Sequence, residues 1–344
     1  GGESLENFAL WSALVFENGD INLPERYASI DAPGVEQARQ RLASEIEFWQ
    51  WCQWIVFDQL IRAQEGARRL GMDMGIMSDL AVGVHSKGSE IWSMPDAFAP
   101  GMSVGAPPDM YSQQGQNWAQ PPWSPRSLAR MGYAPLREML RSVLSYAGAV
   151  RIDHILGLFR LWWIPEGMGA QSGAYVSYDH EAMVGIVLLE AQRAGAVVIG
   201  EDLGTVEPWV RGYLNDRGIL GTSVLWFEKE GSGWPLWPDH YRRSCLAAVT
   251  THDLPPTLGY LEGAHTELRN QLGLLVEDLE QVRDADRIER ERMVSRLKEG
   301  GFIHDDEPSE EELVLAMHAY LAASPALLLA VSLVDVVGEK LPQN

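Results

Sequence analysis

Three acidic residues each follow a short apolar stretch, the position from which side chains of a parallel α/β protein reach its active site. Asp153 comes after "AVRI", Glu201 after "AVVIG" and Asp253 after "CLAAVTTH". The spacings leave room for one or two strand–helix units between successive acids. In a parallel barrel the carboxyl ends of all strands face the same way, so the three carboxylates would converge on one pocket. His154 and His252 adjoin two of the acids. The set favours a shared active site.

Arg151 stands inside the same apolar run as Asp153, within "AVRIDHILGLFRLWW" (149–163). A buried charge is costly unless it is paired and hydrogen-bonded. Residues i and i+2 of a strand point to the same side, so we expect Arg151 to pair with Asp153 and to keep that carboxylate ionised. A structural ion pair, or an aspartate that opens a turn, would explain the motif equally well.

Each of the other acids also has a simpler explanation when taken singly. Glu201 and Asp202 precede a helix and could merely favour its positive end. Asp253 precedes "LPP" and could be a turn residue. Three acids together, with an arginine and two histidines beside them, make the shared active site the better interpretation.

The chemistry that suits this set is cleavage of a glycosidic bond with retention of configuration. One ionised carboxylate, Asp153, would attack the anomeric carbon. A second must be protonated to donate to the leaving oxygen, and the apolar stretch before Glu201 favours that form. Asp253 would bind sugar hydroxyls and stabilise the oxocarbenium-like transition state. The histidines would donate further hydrogen bonds to those hydroxyls.

The elements that must position these residues alternate between apolar runs and helical stretches, as in a parallel sheet wrapped by helices. The runs are apolar enough for strands buried on both faces, and they cover 74–84, 149–158, 196–204, 221–227, 245–253 and 326–338. Helices are expected over 35–70 with Gly71 as a left-handed cap, from Pro135 to Gly148, after a Thr205 cap, and from about 262 to 300. The acidic stretch 304–313 is expected to be a solvated loop that leads into a helix.

A long segment rich in Gly, Pro, Ser and Trp, residues 85–134, separates the first two strand candidates. Structureless loops of this length are uncommon in compact domains and tend to be functional. Loops that follow barrel strands build the active-site face. The segment, and 105–123 in particular, is therefore expected to contribute to the pocket.

Composition and charge exclude several classes of function. The net charge of −21 argues against nucleic-acid partners, because phosphate binding needs clustered Lys and Arg. No apolar run is long enough for a membrane span, and the two cysteines indicate a reducing cytoplasm rather than a disulfide framework. No H-E-x-x-H pair and no EF-hand loop is present, so no metal site is indicated, and no phosphate-cradling glycine loop follows a strand. "GMSVG" (101–105) matches a serine-hydrolase pattern but lacks its strand and helix.

Five ordered motifs resemble those of the amylomaltases, or 4-α-glucanotransferases: "SDLAVGVHSKGSEIW", "GAPPDMYSQQGQNW", "RIDHILGLFRLWWIPEG", "GEDLGTV" and "THDLPPT". The resemblance implies that Asp153 is the nucleophile, Glu201 the acid/base and Asp253 the transition-state stabiliser. It also implies glucan contacts from Asp79, Asp109, Gln116, Trp118, Arg151, His154 and His252. Such enzymes break an α-1,4 bond of a maltodextrin or starch donor and pass the fragment to an acceptor glucan. The resemblance implies no metal and no organic cofactor.

The resemblance implies a (β/α)8 TIM-barrel type of α/β fold with a long βα-loop insertion at 85–134. Only six strands are visible, so we expect residues 1–344 to form one domain, a partial catalytic barrel covering strands three to eight. An open barrel would expose apolar edges, and a homodimer contact could cover them. Two other functions stay open: an α-glucan hydrolase of the same mechanism, and a non-catalytic glucan-binding fragment.

Overall fold

The computed structural model describes residues 2–108, 114–204, 206–305 and 307–341. The chain divides into two compact units, Gly1–Glu201 and Asp202–Asn344. The expectation of a single domain stays a prediction. No described helix combines the length and the apolar character that crossing a membrane would demand.

The described residues of the first unit form two sheets. Its strands are β1 (Met77–Leu80), β2 (Met102–Ala106), β3 (Gln116–Gln120), β4 (Ala149–Ile152), β5 (Arg160–Pro165), β6 (Ala174–Ser177) and β7 (Val197–Gly200). A parallel sheet has the order β1-β4-β7, and an antiparallel sheet has the order β3-β2-β5-β6. Because β1, β4 and β7 are parallel and in register, their carboxyl ends meet at one edge.

The described parts of the insertion, residues 85–108 and 114–134, contain helices and two strands, so these parts are not a structureless loop. Its strands β2 and β3 pair with each other, and β2 also pairs with β5. The pairing gives the backbone groups of this Gly- and Pro-rich segment their hydrogen-bond partners. β3 is therefore held by a sheet rather than carried on a free loop.

The helices of the first unit are α1 (Gly2–Asn18), α2 (Val35–Arg41), α3 (Ala43–Arg69), α4 (Ser89–Ser93), α5 (Pro125–Arg130), α6 (Ala134–Leu144) and α7 (His180–Ala194). The single helix expected over 35–70 is wrong, because the chain bends at Leu42. That side chain is buried in a core cluster with Leu14 and Ala38, so packing overrides the continuous helical pattern. Gly71 follows α3 in the left-handed conformation, as expected.

The helix expected to run from Pro135 to Gly148 is α6, which ends earlier, at Leu144. Gly148 instead joins the parallel sheet, where its N–H donates to the Ile76 carbonyl at 2.9 Å. A Cβ at Gly148 would lie 1.9 Å from the Met74 carbonyl oxygen, so only glycine fits this close approach.

The second unit has one parallel sheet, in the order β10-β9-β8. Its strands are β8 (Gly221–Val224), β9 (Cys245–Ala248) and β10 (Leu328–Ala330), and its helices are α8 (Pro208–Asn215), α9 (Thr257–Glu262), α10 (Ala264–Gln271), α11 (Leu279–Glu299), α12 (Glu310–Ala322) and α13 (Leu333–Val336). A buried apolar cluster that includes Trp226, Leu297 and Tyr320 packs this unit.

Two helix predictions in the second unit are wrong. The helix expected over 262–300 is interrupted by 272–278, where Gly273 is left-handed and Asp278 caps the start of α11. The helix expected after a Thr205 cap begins at Pro208, with Glu207 in the cap position, and Thr205 lies outside the described residues. The loop-to-helix prediction for 304–313 is confirmed, since Ser309 and Glu312 form a capping box on α12.

All six apolar runs contain a parallel strand, although each strand is shorter than its run. The runs 149–158 and 326–338 go on into a 3₁₀ turn and into α13. β4, β8 and β9 are buried along their whole length. β1 and β10 are partly exposed, contrary to the expectation; both lie at a sheet edge, although the edge strand β8 is buried.

Candidate active site

Acidic side chains gather at the carboxyl edge of the first unit's parallel sheet. Asp79 lies on β1 opposite Arg151 of β4. Asp153 directly follows β4, and Glu201 directly follows β7. The strand pairing continues past the strand ends, because the Asp153 N–H donates to the Leu80 carbonyl and the Glu201 N–H to the Ile152 carbonyl, both at 2.9 Å.

Arg151 links two of these acids. Its guanidinium donates to the two Asp79 oxygens at 2.7 and 2.9 Å and pairs with Asp153 Oδ1 at 3.0 Å. Burial disfavours the charged guanidinium, but the Asp79 hydrogen bond and the charges of Asp79, Asp153 and Glu201 outweigh it and raise the pKa of Arg151. The predicted pairing of Arg151 with Asp153 is confirmed, and Asp79 also holds the arginine.

Glu201 is fixed by the turn that follows β4. Its Oε2 accepts the backbone N–H of His154 at 3.0 Å, and its carbonyl accepts the N–H of Ile155 at 2.9 Å. His154 takes a left-handed conformation with φ of 44°. A non-glycine residue in that region costs about 1–3 kcal/mol and is found mostly at functional sites. The strained turn aims the N–H that orients the Glu201 carboxylate.

The β3 strand brings Trp118 to the same turn. The rings of Trp118 and His154 meet edge-on, with centroids 5.3 Å apart. Trp118 Nε1 donates to Gln116 Oε1 at 2.9 Å, so the two side chains form one unit. Burial lowers the pKa of His154 to about 4, which keeps the imidazole neutral near pH 7. Asp109 lies outside the described residues.

Asp253 lies in the second unit, beyond the end of β9. The chain turns there, with the Leu254 N–H donating to the Thr251 carbonyl at 3.1 Å. His252 Nε2 lies 3.5 Å from Asp253 Oδ2, and both side chains are about half exposed. Both residues are accessible to a solvent-borne ligand. That Asp253 shares a pocket with Asp153 and Glu201 stays a prediction.

Asp202, adjacent to Glu201, has a structural role that the sequence did not indicate. Its side chain is buried and pairs with Arg242 at 2.5 and 2.7 Å. It also accepts the Thr222 N–H at 2.9 Å. The carboxylate therefore anchors β8, and it also pairs with Arg211 of α8 at 3.3 Å. Adjacent acids thus have separate surroundings, since Glu201 is held by the turn after β4.

An apolar cavity of about 180 Å³ touches the acid cluster through Asp153 and His154, a feature that sequence reasoning missed. The rest of its lining is mostly apolar and includes Leu80, Phe98, Trp123, Leu136, Leu158 and Met183. Asp153 and His154 are the polar side chains through which this cavity adjoins the acid cluster.

Within the described ranges, no group of three or more His, Cys, Asp or Glu side chains could hold a metal ion. The arrangement instead offers one carboxylate beside an arginine, a second carboxylate oriented by a backbone N–H, and an aromatic ring at the same turn. Acids at the carboxyl ends of parallel strands are the active-site layout of α/β barrel enzymes.

Comparisons with known proteins identify the family to which this chain belongs. A family model described as 4-alpha-glucanotransferase matches residues 1–344. The chain is 50% identical over 350 residues to the 4-alpha-glucanotransferase of Mycobacterium tuberculosis, covering 100% of this chain and 48% of that protein. It is 37% identical over 311 residues to the 4-alpha-glucanotransferase of Haemophilus influenzae, covering 87% of this chain and 44% of that protein.

A comparison with solved structures leads to the same family. The crystal structure of amylomaltase from Corynebacterium glutamicum matches with a TM-score of 0.89 and 43% identity, over 100% of this chain and 48% of that one. The chain belongs to the 4-alpha-glucanotransferase family and shares the α/β fold of amylomaltase. It spans about half the length of the curated relatives it matches.

Proposed function

We propose that this chain carries the catalytic centre of a retaining 4-α-glucanotransferase, which moves α-1,4-glucanosyl segments between maltodextrin or starch chains. The observation that carries the proposal is the pair of acids at neighbouring strand ends, Asp153 held by Arg151 and Glu201 held by the His154 N–H. Family membership supports the same activity.

In the first step, Asp153 attacks the anomeric carbon of the donor and forms a covalent glycosyl-enzyme. The bond to the leaving glucan breaks, and Glu201 gives its proton to the leaving oxygen. The Arg151 guanidinium, 3.0 Å from Asp153 Oδ1, supports the ionised form that attack requires. Asp253 stabilises the positive charge that develops on the sugar.

In the second step, Glu201 takes a proton from a hydroxyl of the acceptor glucan, which attacks the anomeric carbon and releases Asp153. The new bond has the configuration of the old one, because the carbon is inverted twice. All proton transfers and bond changes are assigned to carboxyl groups and the two glucans. The mechanism has no step that needs a metal ion or an organic cofactor.

The substrate contacts are proposed residue by residue from the family motifs: Asp79, Asp109, Gln116, Trp118, Arg151, His154 and His252. The contact between Trp118 and His154 supports a glucan path beside the strained turn. A tryptophan offers a flat apolar face to a sugar ring, while neutral His154 can donate a hydrogen bond to a hydroxyl.

We also infer that the parallel strands are part of a (β/α)8 barrel that is incomplete in these 344 residues. Support comes from the two three-stranded parallel sheets and from the exposure of Met77 on β1 and Leu329 on β10. A single catalytic domain and a cytoplasmic location belong to the same proposal. The two free cysteines are consistent with that location.

The products formed from maltotriose test the proposed activity. Transfer gives glucose together with dextrins longer than the donor, while hydrolysis gives only shorter products. Asp153→Asn should abolish both kinds of product, and Asp216→Asn, on the exposed end of α8, is the matched control that should behave like the native chain. Shorter products alone would identify a hydrolase, and maltotriose binding without turnover would identify a glucan-binding protein.

A further inference from the structure

The loop that carries Asp253 is held by buried threonines at both of its ends. Thr250 and Thr257 are 4% and 0% exposed. The Thr250 hydroxyl donates across the loop to the Pro255 carbonyl at 2.8 Å. Pro255 and Pro256 further restrict the backbone between Asp253 and α9. The loop therefore has little freedom if both threonines stay in place.

Thr257 is in turn held by a remote buried carboxylate. α9 begins at Thr257, and Pro256 in the cap position has no side-chain acceptor. Asp335 Oδ1 accepts the Thr257 N–H at 2.8 Å, and its Oδ2 accepts the Thr257 hydroxyl at 2.7 Å. The Asp335 side chain is only 1% exposed, and His318 Nε2 lies 3.7 Å from its Oδ2. A cap supplied from 78 residues away fixes where the loop ends.

The segment that contains Asp335 follows α9 along its length. A Cβ at Gly259 would lie 2.0 Å from the Lys340 carbonyl oxygen, so backbone meets backbone there. The Lys340 ammonium pairs with Glu262 at the end of α9. The helix is therefore fixed at its start, its middle and its end by residues 335–340.

We propose that Asp335 is a positioning residue for Asp253, which it reaches through Thr257 and the two prolines. The proposal rests on the proposed function for the role of Asp253. An ordinary cap would need only a polar side chain next to the helix, as Asp278 provides for α11. The buried Asp335 instead ties the site loop to α13. A displacement of about 1 Å at a reacting centre can cost about 100-fold in rate.

Hydrogen exchange of the backbone amides in 250–257 tests the positioning without any need for activity. Asp335→Asn keeps the size of the side chain but cannot accept both hydrogen bonds, and Thr257→Val removes only the hydroxyl donor. Both changes should speed exchange in this loop about 10-fold or more, the loss expected from one hydrogen bond to a charged group. Thr257→Ser keeps the donor and should exchange like the native chain.

Asp286→Asn is the matched control, because Asp286 accepts the hydroxyl of buried Thr266 at 2.5 Å and so joins α10 to α11. It removes the same kind of hydrogen bond in the same unit, away from 250–257. Faster exchange in this loop with Asp335→Asn and Thr257→Val, but not with Asp286→Asn, supports the proposal. Equal exchange in the native chain and in both Thr257→Val and Asp335→Asn overturns it.

The kinetic test is a double-mutant cycle with Asp253. Asp335→Asn should lower kcat about 10- to 100-fold with little change in KM, and it should have no further effect once Asp253→Asn is present. A purely structural role would give the same loss in both backgrounds, which would overturn the proposal. If the native chain does not turn over maltodextrin, the proposed function fails while the exchange experiment still decides on Asp335.

Discussion

Arg151 places a charge in the middle of a fully buried strand, which is tolerated only when the charge has partners. Asp153, two residues later, is one of them. The second partner, Asp79, lies 72 residues earlier in the chain, so only the strand pairing reveals it. The left-handed turn at His154 could not be predicted either, because histidine adopts this conformation more often than most residues but still only rarely.

The pairing of Asp79 with the buried arginine can be tested on stability. Asp79→Ala should lower the free energy of unfolding by about 1–3 kcal/mol, because it removes charge-assisted hydrogen bonds from a buried guanidinium. Urea unfolding measures the change. Asp58→Ala is the matched control, since Asp58 pairs with the exposed Arg62 one helical turn away, and it should cost less than about 0.5 kcal/mol. Equal effects of the two changes would contradict the account of Arg151.

The low pKa of His154 predicts a pH dependence of stability. The pKa of His154 is about 4 in the folded chain, against an ordinary value of 6.5. Between pH 4 and pH 6.5 the unfolded chain therefore binds a proton at this residue that the folded chain does not. The contribution of neutral His154 is therefore complete above about pH 6.5 and is lost as the pH falls toward 4, by up to about 3 kcal/mol.

The measurement is the free energy of unfolding of the native chain minus that of His154→Asn, taken at several pH values. Asparagine tolerates the left-handed backbone, so the comparison isolates the titration. The difference should grow in favour of the native chain from pH 4 to pH 6.5 and then level off. A difference that is constant over this range would contradict a buried, neutral His154.

Among the secondary-structure elements, the parallel strands were predictable and the sheet formed within the 85–134 insertion was not. Each parallel strand is an apolar run that a polar residue follows, which is visible locally. The pairing of β2 with β5 joins residues about 60 positions apart and has no local signature. The breaks at Leu42 and at 272–278 were missed for a related reason: packing and capping end a helix where periodicity alone would continue it.

A substitution at Gly105 tests whether the sheet β3-β2-β5-β6 positions Trp118. A Cβ at this residue would lie 1.9 Å from the Gln116 carbonyl oxygen and 2.7 Å from Ile164, so alanine must push β3 away from β2. We expect Gly105→Ala to raise the KM for maltodextrin and to lower stability by about 1–3 kcal/mol. Gly185→Ala in α7, where a Cβ meets nothing within 4 Å, should leave the KM unchanged and stabilise the chain by up to about 1 kcal/mol. An unchanged KM in Gly105→Ala would show that β3 does not position a substrate contact.

At the scale of the whole molecule, the sheet edges bear on association between chains. Leu329 on β10 is 46% exposed, and an exposed apolar edge strand is a template for pairing with another chain. We expect sedimentation of the 344-residue chain to show a concentration-dependent dimer. Leu329→Lys should weaken it at least tenfold, while Leu315→Lys, on the exposed face of α12, should not. Monomer at all concentrations would contradict the predicted homodimer.

Trapping the glycosyl-enzyme tests whether Asp153 is the nucleophile and Glu201 the acid/base. With α-glucosyl fluoride, whose leaving group needs no proton, Glu201→Gln should still glycosylate Asp153, and the adduct should decay slowly because the general base is missing. Intact-protein mass spectrometry and peptide mapping should find one glucosyl group on Asp153 and none in Asp153→Asn. An adduct on Asp253 or Glu201, or transfer activity that survives Asp153→Asn, would contradict the assignment.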